Sequence, residues 1–250
     1  MSAQLIVCGS AGSHPGPDAA GASVLLSAGT TDVLLDIGNG SLTNLMQFRD
    51  VADIDAVVLS HMHPDHFLDI YGFHHARKYH PNPDLPPVPV YAPPGGVQTV
   101  APLVDAIDSF TERLPFHDHR TGTPFTVGPL QFTPFGVTHL IEAYGFRITG
   151  PGVNVAYTGD AAFTDDLVDN CRDADLLIAD TTWAEADGPF PPGIHMTAAE
   201  VGRLAEAAGV ARVLLTHIKP TTDPAIAAAE AGNAFRGQVI VSRDRLELTL

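Results

Sequence analysis

The chain has 250 residues, 45% of them hydrophobic, which is enough for one large α/β domain with a sizeable core. Its formal net charge of −16 argues against a large polyanionic partner, because nucleic-acid binding depends on clustered cations that contact phosphates. No apolar run reaches the roughly 18 residues of a transmembrane helix, and the start of the chain predicts a first β-strand rather than a signal peptide.

Strand-like and helix-like patterns then alternate along the chain, as they do in α/β proteins. The predicted strands are 4–8, 23–28, 32–37, 56–59, 88–91, 130–134, 143–149, 153–158, 176–179, 213–216, 238–241 and 246–249. The predicted helices are 40–48, 66–79, 96–106, 165–171, 197–208 and 223–235. The Gly/Pro-rich joints between them are too short for domain linkers, so we expect a single domain. Cys8 and Cys171, the only cysteines, are predicted to be buried thiols, in agreement with a cytoplasmic location.

The segment 61–66, His-Met-His-Pro-Asp-His, directly follows the predicted strand 56–59. Imidazole and carboxylate groups are ligands that zinc and similar divalent ions prefer. Alternating residues of an extended segment point to the same side, so the side chains of His61 and His63 can lie on one face. The segment therefore predicts a metal site at the end of a strand.

Four further polar residues follow predicted strands in the same way, namely His139, Asp160, Asp180 and His217. In α/β sheets, ligands bind at the carboxyl ends of the strands. We therefore expect these side chains to converge with segment 61–66 in one pocket.

The ordered set of His-x-His-x-Asp-His, His139, Thr-Gly-Asp160 and Leu-Thr-His217 resembles the metallo-β-lactamase superfamily of metal-dependent hydrolases, over essentially the whole chain. The resemblance implies a four-layer αββα sandwich with a dinuclear site along one edge. By that resemblance one metal is held by His61, His63 and His139. The second metal is held by Asp65, His66 and His217, and Asp160 bridges the two. Two divalent metal ions are thus expected, zinc above all, and the same donors also accept manganese or iron.

His195 precedes a predicted helix with a capping box and resembles the His-x-Thr element of the ribonuclease Z-like branch. The implied role is catalytic, either to stabilise charge on a scissile phosphate or to protonate the leaving oxygen. Asp36 resembles the family residue that supports the metal-binding loop through hydrogen bonds without itself contacting the metals. Trp183 is predicted to pack in the core or at an interface, the alternative being a wall for a base or acyl group. Five further histidines have no strand-end context and are expected on the surface or in helices: His74, His75, His80, His117 and His119. For His117 and His119 the alternative is a loop near the site.

In ribonuclease Z itself a long basic arm, inserted between the positions that match His139 and Asp160, grips tRNA. Only 20 residues lie between them here, so the resemblance implies that the arm is absent. The chain looks most like short bacterial ribonuclease Z-like hydrolases, among them atypical cyclic nucleotide phosphodiesterases. The implied reaction is in-line attack of a metal-bridging hydroxide on a small phosphodiester such as a 3′,5′-cyclic nucleotide. Asp65 orients or deprotonates the hydroxide, and His195 assists the leaving oxygen.

Three other functions remain open at this point. One is a different small-molecule hydrolase, such as a lactonase. Another is a tRNA 3′-processing nuclease that uses a different grip, and the last is a non-catalytic nucleotide-binding protein. The expected partner is a small phosphodiester, with no extended nucleic acid and no membrane, and the chain could form a homodimer.

Overall fold

The computed structural model describes residues 3–250. Its strands are β1 (Gln4–Gly9), β2 (Ser23–Ala28), β3 (Thr31–Leu35), β4 (Ala56–Val58), β5 (Val90–Ala92), β6 (Phe116–Asp118), β7 (Phe125–Val127), β8 (Leu130–Gly136), β9 (Tyr144–Gly150), β10 (Val153–Tyr157), β11 (Leu176–Asp180), β12 (Arg212–Thr216), β13 (Gln238–Val241) and β14 (Glu247–Thr249). Its α-helices are α1 (Ser41–Leu45), α2 (Pro64–Phe67), α3 (Ile70–Lys78), α4 (Gly96–Val100), α5 (Ile107–Arg113), α6 (Asp165–Cys171), α7 (Ala198–Ala208) and α8 (Pro224–Ala234). Short 3₁₀ helices cover Val51–Asp53, Ala101–Leu103 and Glu185–Asp187.

The strands form two seven-stranded mixed sheets, ordered β14-β1-β2-β3-β4-β5-β6 and β13-β12-β11-β10-β9-β8-β7. Strands β3 to β6 are parallel, as are β10 to β13. Strand β8 is antiparallel to β9, which is antiparallel to β10, so β8 and β10 run in the same direction. The carboxyl ends of β8, β10, β11 and β12 therefore meet at one edge of the second sheet.

Apolar side chains fill three layers around the sheets. Between the two sheets, residues such as Val58, Phe146 and Leu214 pack together in one cluster. Helices α1 to α5 cover the outer face of the first sheet, and α6 to α8 cover the outer face of the second. Strands buried on both faces explain the nearly continuous apolar runs of β1 to β4 and β10 to β12. The predicted four-layer αββα sandwich is confirmed.

Several local predictions were wrong in detail. Strands β6 and β7 and helix α5 were not predicted. The two strands have only three residues each, which leaves no period to detect. The helix predicted over 66–79 is broken between α2 and α3. At the break, Asp69 donates its backbone N–H to the carbonyl of Ile37, 3.1 Å away, and its carboxylate accepts the N–H of Leu42 at 2.8 Å. Tertiary hydrogen bonds thus replace the helical ones at this point.

Two of the five histidines predicted on the surface or in helices lie in the interior. His74 is in helix α3, as predicted, but it is buried against the ring of Phe110. His119 is not on the surface or in a helix but takes the alternative position on a loop near the site: it is buried just after β6, and its Nε2 lies 2.8 Å from the carbonyl oxygen of Leu59. His119 therefore supports the chain two residues before His61.

In the part of the chain described, no helix is long and apolar enough to span a bilayer.

Both cysteines are free and buried, which gives a chemical test of the core. Burial raises the pKa of Cys8 and of Cys171 to about 12. Because the thiolate is the reactive form, we expect iodoacetamide at pH 8 to leave both residues unmodified in the native protein and to alkylate both in urea. Mass spectrometry of the intact chain measures this. Alkylation of either residue under native conditions would contradict the packing described.

Candidate metal centre

Segment 61–66 changes conformation after His63, and this change divides its ligands into two pairs. His63 is extended (φ −78°, ψ 144°), and Pro64, whose φ suits the first helical position, begins helix α2. His61 and His63 therefore point to one side of an extended chain, with His61 Nε2 only 3.0 Å from His63 Nδ1. The helical turn then carries Asp65 and His66 towards His217.

The first group of donors comprises His61, His63, His139 and Asp160. His139 comes from the end of β8, and its Nε2 lies 3.1 Å from Nδ1 of His63. Asp160, beyond the end of β10, places Oδ2 at 3.6 Å from His61 Nε2 and 3.8 Å from His139 Nε2. Three imidazoles and one carboxylate oxygen thus face a common centre.

The second group comprises Asp65, His66 and His217. Nε2 of His66 and Nε2 of His217 are 3.1 Å apart, and Oδ2 of Asp65 lies 3.3 Å from His217 Nε2. The other oxygen of Asp160, Oδ1, is 3.2 Å from His66 and 3.3 Å from His217. Asp160 therefore presents one oxygen to each group, which is the position predicted for a bridging carboxylate.

The protonation of the imidazoles indicates what this centre holds. Nδ1 of His66 lies 2.9 Å from Asp36, and Nδ1 of His139 lies 2.9 Å from the carbonyl oxygen of Ile194. Both partners only accept hydrogen bonds, so each Nδ1 donates its proton and each Nε2 keeps a lone pair. The Nδ1 of His217 has a similar partner in Thr182, whose hydroxyl itself donates to Asp180. Once these imidazoles are neutral, their lone pairs face one another across each group, an arrangement that a cation stabilises.

Two further observations fit divalent metals. Oδ1 of Asp160 is buried and accepts no hydrogen bond within residues 3–250, although two imidazole nitrogens lie within 3.3 Å. In a tetrahedral zinc site, with Zn–N distances of about 2.0–2.1 Å, ligand nitrogens are separated by about 3.3 Å. The nitrogen separations of 3.0–3.1 Å in the two groups are close to that value. The residues present therefore fit two metal ions, and the seven ligands predicted from the sequence are brought together.

Asp36 connects the metal loop to both sheets. It is fully buried after β3 in a left-handed conformation (φ 58°). Its carboxylate accepts the backbone N–H of Ser60 at 2.7 Å, the Tyr157 hydroxyl at 2.5 Å and the Nδ1–H of His66. Ser60 Oγ lies 3.0 Å from Nδ1 of His61, so Asp36 orients His66 directly and His61 through Ser60. The predicted support of the metal loop is present in the geometry.

Asp180 is a residue whose role the sequence left undefined. Buried at the end of β11, it accepts hydrogen bonds from Thr182 and from the backbone N–H of Ala161. Its Oδ2 lies 2.8 Å from Nδ1 of His195, and its Oδ1 lies 3.4 Å from Nδ1 of His217. Asp180 thus links a ligand of the second group to the predicted catalytic histidine. Its position after an apolar strand was the only sequence signal available.

The pKa values of the histidines are shifted in opposite directions in the two groups. Burial and the neighbouring His66 lower the pKa of His61, and burial and His139 lower that of His63. Burial opposes protonation of His66 as well, but Asp160 and Asp36 raise its pKa well above the usual value. Burial likewise opposes the charged form of His195, yet Asp180 raises its pKa. Metal binding to the second group is therefore expected to release protons.

The glycine-rich loop after β1 packs against the second group. A Cβ on Gly12 would lie 2.2 Å from the carbonyl oxygen of His217 and 2.6 Å from its Nδ1. His217 itself is buried, so it has little room to move. Glycine at position 12 therefore allows the loop to pack directly against His217.

Gly12→Ala is expected to displace His217 and to weaken metal binding by the second group about 10- to 100-fold. Competition with a chromophoric chelator measures the affinity. Gly232→Ala is the matched control, because a Cβ at that helical position meets open space and should leave metal affinity unchanged. Equal affinities in the two variants would show that Gly12 does not position His217.

Comparison with known proteins agrees with this geometry. The family described as "Beta-lactamase superfamily domain" matches residues 31–218. The chain is 34% identical to the uncharacterized protein Rv1339 of Mycobacterium tuberculosis, over 96% of this chain and 89% of that protein. It is 30% identical to the probable metallo-hydrolase YhfI of Bacillus subtilis, over 96% and 97% of the two chains. It is 27% identical to ribonuclease Z of Mycobacterium bovis (strain BCG / Pasteur 1173P2), over 96% of each.

The crystal structure of YhfI, a metallo-β-lactamase fold protein, superposes with a TM-score of 0.91 over the whole of both chains, at 26% identity. The fold and its His/Asp cluster define a metallo-hydrolase of the β-lactamase fold. The chain belongs to the metallo-β-lactamase superfamily.

Proposed function

We propose that this metallo-hydrolase is a phosphodiesterase that cleaves a small phosphodiester such as a 3′,5′-cyclic nucleotide. The observation that carries the proposal is the position of His195. Its ring centroid lies 5.1 Å from that of His139 and 5.5 Å from that of His217, so it stands next to both groups of donors. Its Nδ1 is held by Asp180, which leaves Nε2 for a substrate.

The residues of this chain divide the proposed reaction between them. When bound, the two divalent ions supply an activated water and offset the charge of the phosphate. Asp65, whose side chain is 12% exposed, orients that water and accepts its proton at a carboxylate oxygen. His195 donates the proton on Nε2 to the leaving 3′-oxygen. Asp180 keeps the imidazole oriented and favours its protonated form.

The short segment between His139 and Asp160 favours a small substrate over tRNA. The interval between His139 and Asp160 contains the hairpin of β9 and β10, joined by a two-residue turn at Pro151 and Gly152. This hairpin belongs to the second sheet, so the interval offers no projecting arm. Together with the net charge of −16, this favours a compact ester over tRNA.

A substrate panel tests the proposal. Protein reconstituted separately with zinc, manganese and iron is assayed against 3′,5′-cyclic nucleotides, bis-p-nitrophenyl phosphate, acyl lactones and pre-tRNA. We expect turnover of the phosphodiesters and none of lactones or pre-tRNA. Lactone hydrolysis without phosphodiester hydrolysis, or salt-sensitive cleavage of pre-tRNA, would overturn the proposal. Tight nucleotide binding without turnover would also overturn it.

The cytoplasmic location and the homodimer stay predictions.

A further inference from the structure

A cavity of about 300 Å³ opens beside His195, and aromatic side chains form one of its walls. Trp183 and Phe190 line it with their rings nearly parallel, 4.7 Å apart at an angle of 9°. The ring of His195 stands perpendicular to Trp183 at 5.2 Å. Phe163 also lines the cavity, and all three aromatic residues are only partly buried. Nothing in the mechanism above uses this aromatic wall.

The wall is held in place before any ligand binds. Trp183 donates its backbone N–H to Met196 at 3.4 Å, and its carbonyl oxygen accepts the N–H of Ala198 at 2.8 Å. Phe190 lies between Pro189 and Pro191, whose rings restrict the backbone on both sides. A rigid, partly exposed aromatic surface binds a flat ligand at a low entropic cost.

The charge of the cavity determines which part of a substrate it suits. Glu200 is the acidic residue of its lining, and the described residues that line it include no lysine or arginine. Oε2 of Glu200 accepts the backbone N–H of Thr197, whereas Oε1 has only Arg203 nearby, at 3.8 Å. Oε1 can therefore accept a hydrogen bond from an amino group. Away from His195, an anionic phosphate is therefore disfavoured, and a neutral ring that carries N–H donors is favoured.

We propose that this cavity is a specificity subsite for the heteroaromatic base of the substrate, which stacks against the wall of Trp183 and Phe190. The inference rests on the proposed function, because it places the base beside His195 while the phosphate lies at the metal centre. Stacking on aromatic side chains is available to every base, so the wall selects nucleosides over aliphatic alcohols rather than one base over another. Glu200 adds a preference for bases with an exocyclic amine.

Trp183 is the only tryptophan of the chain and therefore reports directly on the subsite. Adenosine, which has no phosphate to be hydrolysed, is titrated into the metal-loaded protein while tryptophan fluorescence is recorded. We expect saturable quenching by adenosine and none by ribose. In Phe190→Leu the affinity for adenosine should fall about 10- to 100-fold, the range for loss of one stacking partner. Tyr79→Leu, an exposed aromatic residue on the surface, is the matched control and should bind as the wild type does.

Kinetics separate this inference from the proposed function. Phe190→Leu should lower kcat/KM for 3′,5′-cyclic AMP while sparing ribose 3′,5′-cyclic phosphate, which lacks the base. If the wild type hydrolyses neither ester and yet adenosine quenches Trp183, the phosphodiesterase proposal fails and the subsite stands. If the cyclic esters are hydrolysed but adenosine neither quenches Trp183 nor distinguishes Phe190→Leu from Tyr79→Leu, the subsite is refuted and the function stands.

Discussion

His63→Ala is expected to lower hydrolysis by about 10³-fold or more, because bound metal contributes several kcal/mol of transition-state stabilisation. His63 contacts both His61 and His139, so its loss opens the first group of donors. It is also more exposed than His61 or His66, and the fold should tolerate the change. Bound metal per chain, measured by elemental analysis alongside kcat/KM, should fall from two ions towards one.

The control for this experiment is His75→Ala. His75 lies on the exposed face of helix α3, and the substitution removes the same imidazole from a position away from the centre. It should leave both the metal content and the activity unchanged. A His63→Ala protein that keeps two ions and full activity would show that the first group is not a metal site.

His195→Ala is expected to slow the chemical step of hydrolysis without affecting metal binding. The kcat for a cyclic nucleotide should fall about 10²- to 10⁴-fold, the usual contribution of a general acid, while the metal content stays unchanged. With bis-p-nitrophenyl phosphate the loss should be small, because p-nitrophenolate leaves without needing a proton. Steady-state kinetics on the two esters, compared with elemental analysis, measure this difference.

Three outcomes would contradict this role for His195. Equal losses on the two esters would indicate that His195 positions the phosphate rather than protonates a leaving group. Loss of metal would place His195 among the ligands. Full activity in the variant would remove His195 from the mechanism altogether.

Much of the candidate site could be predicted from the sequence because its chemistry is local. His61 and His63 share a face because they alternate in an extended segment, and His139, Asp160 and His217 each follow a strand. Such patterns depend on a few neighbouring residues. The two-sheet architecture, by contrast, was implied by the resemblance of these motifs to the metallo-β-lactamase superfamily.

Only the tertiary structure showed which residues support the ligands and which surround the substrate. Asp180 links His195 to His217, His119 supports the chain at Leu59, and Gly12 packs under His217. The aromatic wall of Trp183 and Phe190 likewise depends on how the chain folds back against α7.

The sequence by itself determined which residues are candidate metal donors, since side-chain chemistry and position after a strand are properties of short segments. The resemblance of these motifs to a known superfamily implied the four layers. The tertiary structure decided how the donors are oriented and what lies beside them. Those features arise from contacts between residues far apart in the chain, such as His66 with His217, and no local pattern records such contacts.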